Sequence, residues 1–214
     1  MEKKYEMTGE TREILGHTLH RIRALRKFFE VKPGDLGGWI ESESNLSHED
    51  IAWVGGEACV LENARVYGSA RVYDHALIRG EAHVYGHGDI SGYAEVSGKA
   101  QVYGLAWVSE YAKISDKAKV YGDAEVRNNA HISGEANVYG MTHVEEHAQI
   151  LDNAQVYGST WVYGNAKITG YAEIYGEASV YGNAEVTDFA VVCGNADVRG
   201  ETHVGGEECI SEYK

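Results

Sequence analysis

The sequence predicts an all-β fold, a parallel β-helix built from stacked triangular turns. Every sixth residue from Val54 to Ile210 is Val or Ile, without exception over 27 positions. A column two residues earlier is mostly Ala from Ala52 to Ala196, and a column two residues later holds only Gly, Asp, Asn or Glu. The chain has 26 Gly and one Pro among its 214 residues, a composition poor in helix formers.

The hexad accounts for each element of the predicted turn. Ala, a variable residue and then Val or Ile alternate with the period of two that a β-strand requires, and the Gly-rich column is typical of a tight corner. The variable columns become regular at a spacing of eighteen, since Tyr occupies seven consecutive positions from Tyr67 to Tyr175 before Cys193 interrupts it. Three hexads therefore close one turn, and 27 hexads make nine turns, a rod about 43 Å long.

The same spacing predicts which side chains face inward and which face outward. We expect Val and Ile to fill the interior, for example Val66 on Val84 and Val84 on Val102, while Ala fits the crowded corners. Because parallel turns stack in register, like residues meet, and the Tyr, Ser/Thr and Trp columns should form ladders on the outside. One turn cannot bury its core without its neighbours, so the stack itself is the core.

Hexads of the form Val66-Tyr67-Gly68, followed two residues later by Ala, resemble the hexapeptide-repeat superfamily of left-handed parallel β-helices over residues 52–213. The resemblance implies a left-handed, single-stranded helix of about nine triangular 18-residue turns. Many members of that superfamily are trimeric acyltransferases, which implies acyl-CoA as the cofactor in an enzymatic alternative. The closer likeness is to uncharacterised bacterial and phage proteins that carry such hexads behind a head like residues 34–41, which implies a bacterial or phage origin.

The sequence divides the chain into an N-terminal cap, residues 1–45, and a β-helix, residues 46–214. The cap breaks the hexad rule and contains the sole proline, Pro33. Residues 5–8 and 18–25 are predicted to form a hairpin, followed by a turn at residues 32–35. We expect the cap to cover the open strand edge at the first turn, because an uncovered edge invites pairing with other chains.

The outward aromatic columns are the most specific surface feature. Stacked rings stabilise a parallel ladder by themselves, but a long aromatic strip is also typical of a subunit interface. The sequence therefore predicts a homo-oligomer, a dimer or a trimer, through one or both columns. The candidate interface residues are Tyr67, Tyr85, Tyr103, Tyr121, Tyr139, Tyr157, Tyr175, Trp53, Trp107 and Trp161.

Catalytic chemistry has one specific candidate. If the chain is an acyltransferase that uses acyl-CoA, His143 is the expected general base, although no loop interrupts the hexads to enclose a substrate. The pairs His83/His87 and His143/His147 converge on a helix but diverge on an extended strand, so we expect no metal site. The leading interpretation is a non-catalytic interaction module without a cofactor.

Charge is concentrated in the C-terminal half. The net charge is -14, and residues 121–214 hold 15 acidic and 4 basic side chains, which argues against nucleic-acid binding. One interpretation is a solvated face that keeps the rod soluble. The alternatives are an acidic docking surface for a basic protein, carried by Glu173, Glu177 and Glu185, and mimicry of a nucleic acid.

The N-terminus and the cysteines predict a cytoplasmic protein. Residues 1–6 are charged without an apolar segment behind them, and no run approaches the length of a membrane span. Cys59, Cys193 and Cys209 are too few and odd in number for a disulfide framework. Cys193 and Cys209 are expected diagonally on neighbouring turns, about 8 Å apart at Cα, too far for a disulfide.

Overall fold

A computed structural model of the chain describes residues 3–212, and these residues form a parallel β-solenoid. The helical content of the described residues is one 3-10 turn, Glu43–Asn45. Within the same residues, no helix is long and apolar enough to cross a membrane. The all-β parallel fold predicted from the hexads is confirmed.

Three longer strands build the N-terminal head: β1 (Tyr5–Ile14), β2 (His17–Ala24) and β3 (Leu36–Ile40). The first two form an antiparallel hairpin whose two-residue turn has positive φ at both Leu15, +52°, and Gly16, +83°. That combination matches the right-handed twist of the flanking strands. The hairpin is therefore confirmed, with a first strand longer than the one predicted over residues 5–8.

The remaining strands are two residues long, and every third one belongs to the same face of a three-sided rod. The tryptophan face comprises β4 (Trp53–Val54), β7 (Arg71–Val72), β10 (Asp89–Ile90), β13 (Trp107–Val108), β16 (Glu125–Val126), β19 (His143–Val144), β22 (Trp161–Val162), β25 (Ser179–Val180) and β28 (Asp197–Val198). The head face comprises β5 (Cys59–Val60), β8 (Leu77–Ile78), β11 (Glu95–Val96), β14 (Lys113–Ile114), β17 (His131–Ile132), β20 (Gln149–Ile150), β23 (Lys167–Ile168), β26 (Glu185–Val186) and β29 (His203–Val204). The tyrosine face comprises β6 (Arg65–Val66), β9 (His83–Val84), β12 (Gln101–Val102), β15 (Lys119–Val120), β18 (Asn137–Val138), β21 (Gln155–Val156), β24 (Glu173–Ile174), β27 (Val191–Val192) and β30 (Cys209–Ile210).

Residues eighteen apart are neighbours throughout the regular turns, as predicted. Val66 lies beside Val84, and Val84 lies beside Val102. Every inward Val or Ile from Val54 to Val204 is at most 1% exposed. The interior is therefore a continuous aliphatic column, and the inward assignment of the hexad is confirmed.

The corner column requires a left-handed backbone. Gly104 has φ +73°, and a Cβ built there would lie 2.8 Å from the backbone nitrogen of Gly122 on the next turn. Where Asp replaces Gly, the carboxylate accepts a hydrogen bond from the next corner, as between Asp74 Oδ2 and the Gly92 N–H at 3.0 Å. The same contact recurs at Asp116, Asp152 and Asp188. These corner carboxylates therefore accept hydrogen bonds from backbone N–H groups of the next turn.

An irregular first turn connects the head to the solenoid. Strand β3 pairs antiparallel with β2 on one side and parallel with β5 on the other, which places Ile40 beside Val60. Leu46 pairs in parallel with Val66. The partners Ile40 and Val60, like Leu46 and Val66, are twenty residues apart in the sequence instead of eighteen. The two extra residues lie between Leu46 and Val54, which are eight residues apart instead of the usual six. The region predicted to be a cap over residues 1–45 thus contributes a parallel strand to the rod.

Polar side chains of the head satisfy carbonyl groups of the first turns. The buried Lys4 ammonium donates to the carbonyl of Ala52 at 2.7 Å and lies 5.4 Å from the centroid of the Phe28 ring. The Asn45 amide donates to the carbonyl of Ala64 at 2.9 Å. Backbone acceptors at the first turns thus receive side-chain donors where another strand would otherwise supply N–H groups.

Replacing Val120 by Asp tests the inward assignment. Val120 is fully buried, so Val120→Asp places a carboxylate in the aliphatic column and should lower the free energy of unfolding by more than about 3 kcal/mol. The matched control, Lys119→Asp, changes the exposed neighbour on the same strand and should alter stability by about 0.5 kcal/mol or less. Urea denaturation measures both, and equal stability of the two variants would contradict the assignment.

The buried Lys4 predicts an alkaline pH dependence of stability. Burial lowers the pKa of Lys4 from 10.5 to about 8, so the folded state loses its proton before the unfolded chain does. The unfolding free energy should therefore rise between about pH 8 and about pH 10.5, by up to about 3 kcal/mol relative to Lys4→Met. Denaturation of both proteins at several pH values measures the difference, and parallel pH profiles would contradict it.

Candidate functional site

The tyrosine face carries an unbroken stack of seven rings from Tyr67 to Tyr175. Adjacent ring centroids lie 4.8 to 5.2 Å apart and adjacent planes differ by at most 10°. The rings are half-buried by one another, and burial raises the pKa of the hydroxyls of Tyr85, Tyr103 and Tyr121. The predicted outward ladder is confirmed and forms a rigid strip of aromatic edges and hydroxyls.

A polar column runs beside the rings on the same face. The Tyr85 hydroxyl donates to the Gln101 amide oxygen at 3.2 Å. The column is basic near the head, with Arg65, and in the middle of the rod, with Lys119, and it becomes acidic at Glu173. The charge of the tyrosine face therefore changes from basic to acidic along the rod.

The three tryptophans of the candidate interface occupy two different environments. Trp53 is 4% exposed and packs edge-on against the Phe28 ring of the head, with centroids 5.3 Å apart. Trp107 and Trp161 are 45% and 42% exposed on the tryptophan face. The head thus covers one tryptophan and leaves the other two at the surface.

His143 lies on the tryptophan face between a carboxylate and an aromatic ring. Its Nδ1 is 3.2 Å from Glu125 Oε2 on the preceding turn, and its ring stacks on Trp161 with centroids 4.2 Å apart. Arg127 Nη2 pairs with Glu145 at 2.5 Å beside them. The two side chains are close but not hydrogen-bonded, since His143 Nδ1 is buried without a hydrogen-bond partner, so the oriented contact that a general base requires is not formed here.

The three acidic docking candidates are spread around the rod. Glu173 lies on the tyrosine face, where burial and, after it, the charge of Glu173 raise the pKa of Tyr157. Glu177 lies on the edge between the tyrosine and tryptophan faces, and Glu185 lies on the head face, 3.7 Å from His203. The structure therefore brings Glu173 and Glu177 near one edge and places Glu185 on another side.

A groove between the head and the tryptophan face was not foreseen from the sequence. We call it the head groove; its volume is about 490 Å³, which is typical of a ligand site. A salt bridge between Arg71 and Asp89, 2.5 Å long, lies in it, and burial raises the pKa of Asp89 more than that partner lowers it. The groove is lined by Phe28, Phe29, Val31, Ile51, Trp53, Ser69, Arg71, Tyr73, His87, Asp89, Leu105 and Trp107.

Neither a metal cluster nor a disulfide occurs in the described part of the chain. Residues 3–212 contain no group of three or more His, Cys, Asp or Glu side chains that could hold a metal ion. Cys59, Cys193 and Cys209 are all free thiols. Burial is the main cause that raises the pKa of the Cys59 thiol.

The fold and its repeat define the chain as a β-solenoid repeat protein. A family model described as the YdcK beta solenoid repeat matches residues 148–164, a little less than one turn of the rod. No curated protein matches the sequence. The family match and the parallel stack of turns both indicate a β-solenoid repeat.

Proposed function

We propose that this protein is a non-catalytic interaction module that self-associates through the tyrosine face. The observation that carries the proposal is the stack of seven half-buried tyrosine rings, Tyr67 to Tyr175. Stacking already holds these rings in one orientation, so the rings would lose little conformational entropy when a partner binds them. The strip is about 29 Å long, which suits an elongated interface.

A second copy of this chain is the partner that matches the strip. Its own tyrosine face has the same strand spacing, so rings of two antiparallel copies can meet along the whole overlap. In that arrangement Arg65 of each copy faces Glu173 of the other, while Lys119, at the centre of the strip, lies opposite its own counterpart; in a parallel pair all three would face their own kind. Charge complementarity therefore favours an antiparallel dimer over a parallel pair of rods, and a trimer remains the alternative stoichiometry.

The acidic half adds a proposed partner of the opposite charge. Residues 121–214 carry 15 acidic and 4 basic side chains, a balance that attracts a basic protein and repels nucleic acid. Of the three candidates, Glu177 at the edge of the rod and Glu185 on the head face stay outside the proposed dimer contact and can bind such a partner, whereas Glu173 on the tyrosine face is available to it only in the monomer. We place the protein in the cytoplasm, where its three thiols stay reduced.

An acyltransferase remains the second candidate function, because the His143 imidazole lies 3.2 Å from the Glu125 carboxylate. In that reaction the imidazole would take a proton from an amine or hydroxyl acceptor as the acceptor attacks the acyl-CoA thioester; the C–S bond would break and the CoA thiolate would leave with that proton. His143 would be the general base. A nucleic-acid mimic is the third candidate, supported by the net charge of -14.

Paired tyrosine variants test self-association. Tyr103→Ser with Tyr121→Ser removes two central rings and should shift the sedimentation mass toward the monomer with the circular dichroism unchanged, because these side chains point outward. Tyr93→Ser with Tyr111→Ser is the matched control, since those two rings also stack, at 5.2 Å, but lie on another edge. A monomeric parent, or an equal shift in both double variants, would rule out the tyrosine-face interface.

An acetyl-transfer assay separates the two leading candidates. With acetyl-CoA and a panel of amines and hydroxyl acceptors, we expect no transfer above the rate in buffer. If transfer does occur and falls about 100-fold in His143→Ala but not in His147→Ala, the acyltransferase replaces the non-catalytic module. His147 is the control because it lies four residues away and is exposed at a corner.

A further inference from the structure

The tryptophan face carries two exposed indole rings at equal distances from its middle. Trp107 stands on β13 and Trp161 on β22, both in the outward column and both nearly half exposed. The nine strands of this face lie in order from β4 to β28, so β16 and β19 separate the two tryptophans. Exposed tryptophans that recur on one face are typical of a protein interface. The two rings are thus symmetric about the midpoint between β16 and β19.

The charged side chains on either side of that midpoint have opposite character. Strand β16 carries Glu125 and is followed by Arg127, whereas β19 carries His143 and is followed by Glu145. Within one chain, Arg127 Nη2 lies 2.5 Å from Glu145 Oε1, and His143 Nδ1 lies 3.2 Å from Glu125 Oε2. Each carboxylate on one side of the midpoint therefore matches a nitrogen-bearing side chain at the equivalent position on the other side. Such a surface is self-complementary, as an interface between two identical copies requires.

We propose that the tryptophan face binds the same face of a second copy, with the two rods antiparallel and the two-fold axis between β16 and β19. An axis parallel to the strands keeps each outward column opposite itself and reverses the order of the strands. The residues that then meet across the axis are, in pairs, Trp107 and Trp161, Glu125 and His143, and Arg127 and Glu145. Indole rings therefore meet each other, and carboxylates meet nitrogen donors, in both halves of the contact.

A shift of one turn in either direction would bring like charges together. With the axis on β19, Glu145 would face its own counterpart and Asp89 would face Asp197. With the axis on β16, Glu125 and Arg127 would each face their own counterparts. Like charges that meet across an interface oppose association. The charge pattern therefore selects one register among the neighbouring ones.

The head determines the relative direction of the two rods. Phe28 of the head packs on Trp53, so the head covers the β4 end of the tryptophan face. Parallel copies would bring two heads to the same place, whereas antiparallel copies set each head beside β28 of the other. Strands β25 and β28 of the second copy then lie opposite β10 and β7, whose Asp89 and Arg71 line the head groove. The second copy thus covers the head groove.

Arg71 can serve both its own chain and the second copy. Its Nη2 donates to Asp89 Oδ2 at 2.5 Å, and a guanidinium has five N–H donors. In the proposed register Arg71 lies opposite Asp197 of the second copy. The remaining donors of Arg71 can therefore bind that carboxylate without breaking the pair with Asp89, which adds one ion pair at each end of the contact.

This contact goes beyond the proposed self-association through the tyrosine face and does not depend on it. The two contacts use different faces of the rod, so one copy can make both, and assemblies would then exceed a dimer. The double variant with Tyr103→Ser and Tyr121→Ser removes two rings of the tyrosine face and leaves the tryptophan face intact. Self-association that persists in this background reports on the tryptophan face.

Complementary charge reversals, measured by sedimentation in that tyrosine background, test the proposal. The background itself should still form dimers. Arg127→Glu alone and Glu145→Arg alone should each weaken dimerisation at least about tenfold, because like charges then meet across the axis. An equimolar mixture of the two variants should dimerise as the background does, since each acid of one variant faces a base of the other. A purely structural role of the pair within one chain would not produce this rescue.

Two further sets of variants complete the experiment. Arg79 and Glu95 are the matched control pair, because they lie 2.7 Å apart on the head face, outside the contact. Arg79→Glu and Glu95→Arg should leave dimerisation unchanged, separately and mixed. Trp107→Ser with Trp161→Ser should weaken dimerisation at least about tenfold with the circular dichroism unchanged, because both rings point outward.

The proposal is overturned by a monomeric tyrosine background, by an undiminished dimer in either charge reversal, or by a mixture that associates no better than its components. Equal losses in the Arg79 and Glu95 controls would overturn it as well. The outcomes also separate the two faces. Self-association that is lost with the tyrosine rings alone supports the tyrosine face and overturns the present proposal. Self-association that survives in the tyrosine background and follows the charge reversals supports the tryptophan face, whatever the fate of the tyrosine-face contact.

Discussion

Burial of the inward Val/Ile column between successive turns is the interaction on which the rest of the structure depends. Each strand is two residues long, too short to be stable by itself, and each turn exposes its aliphatic side chains unless another turn covers them. In-register stacking then aligns every other column, from the left-handed corners to the rings of the tyrosine face. A surface ladder such as Tyr103 on Tyr121 is therefore a by-product of a rule imposed by the core.

The head shows how a repeating rod begins without a preceding turn. It pairs β3 with β5, donates from Lys4 and Asn45 to carbonyls of the first turns, and places two arginines against the Trp39 ring. These contacts need polar and aromatic side chains at particular positions, so the sequence of the head does not follow the six-residue repeat. The groove exists for the same reason, because a non-repeating loop lies beside a regular face and leaves a concave gap.

The fold could be predicted almost entirely from the sequence, since a period of six within a period of eighteen determines strand, corner, face and neighbour. Predictions were weaker wherever the period fails. The head groove joins Phe29 to Leu105 and Trp107, and no spacing in the sequence relates a head loop to the third and fourth turns. One signal was available: Ile40 and Leu46 keep the hexad spacing, so the first irregular turn could have been recognised. The corner acids, such as Asp74, looked like surface charge but serve as acceptors for the next corner.

The constant spacing between turns has a consequence for how such a rod can change over generations. Because each turn contacts the next through the same columns, a duplication or deletion of eighteen residues within the regular region leaves one continuous interior and the same three faces. Such an event would lengthen or shorten the rod by about 4.8 Å and add or remove one ring of the tyrosine stack. Gene duplication or deletion could thus change the length of the interface one turn at a time, because each added turn would use the same packing contacts as the existing ones.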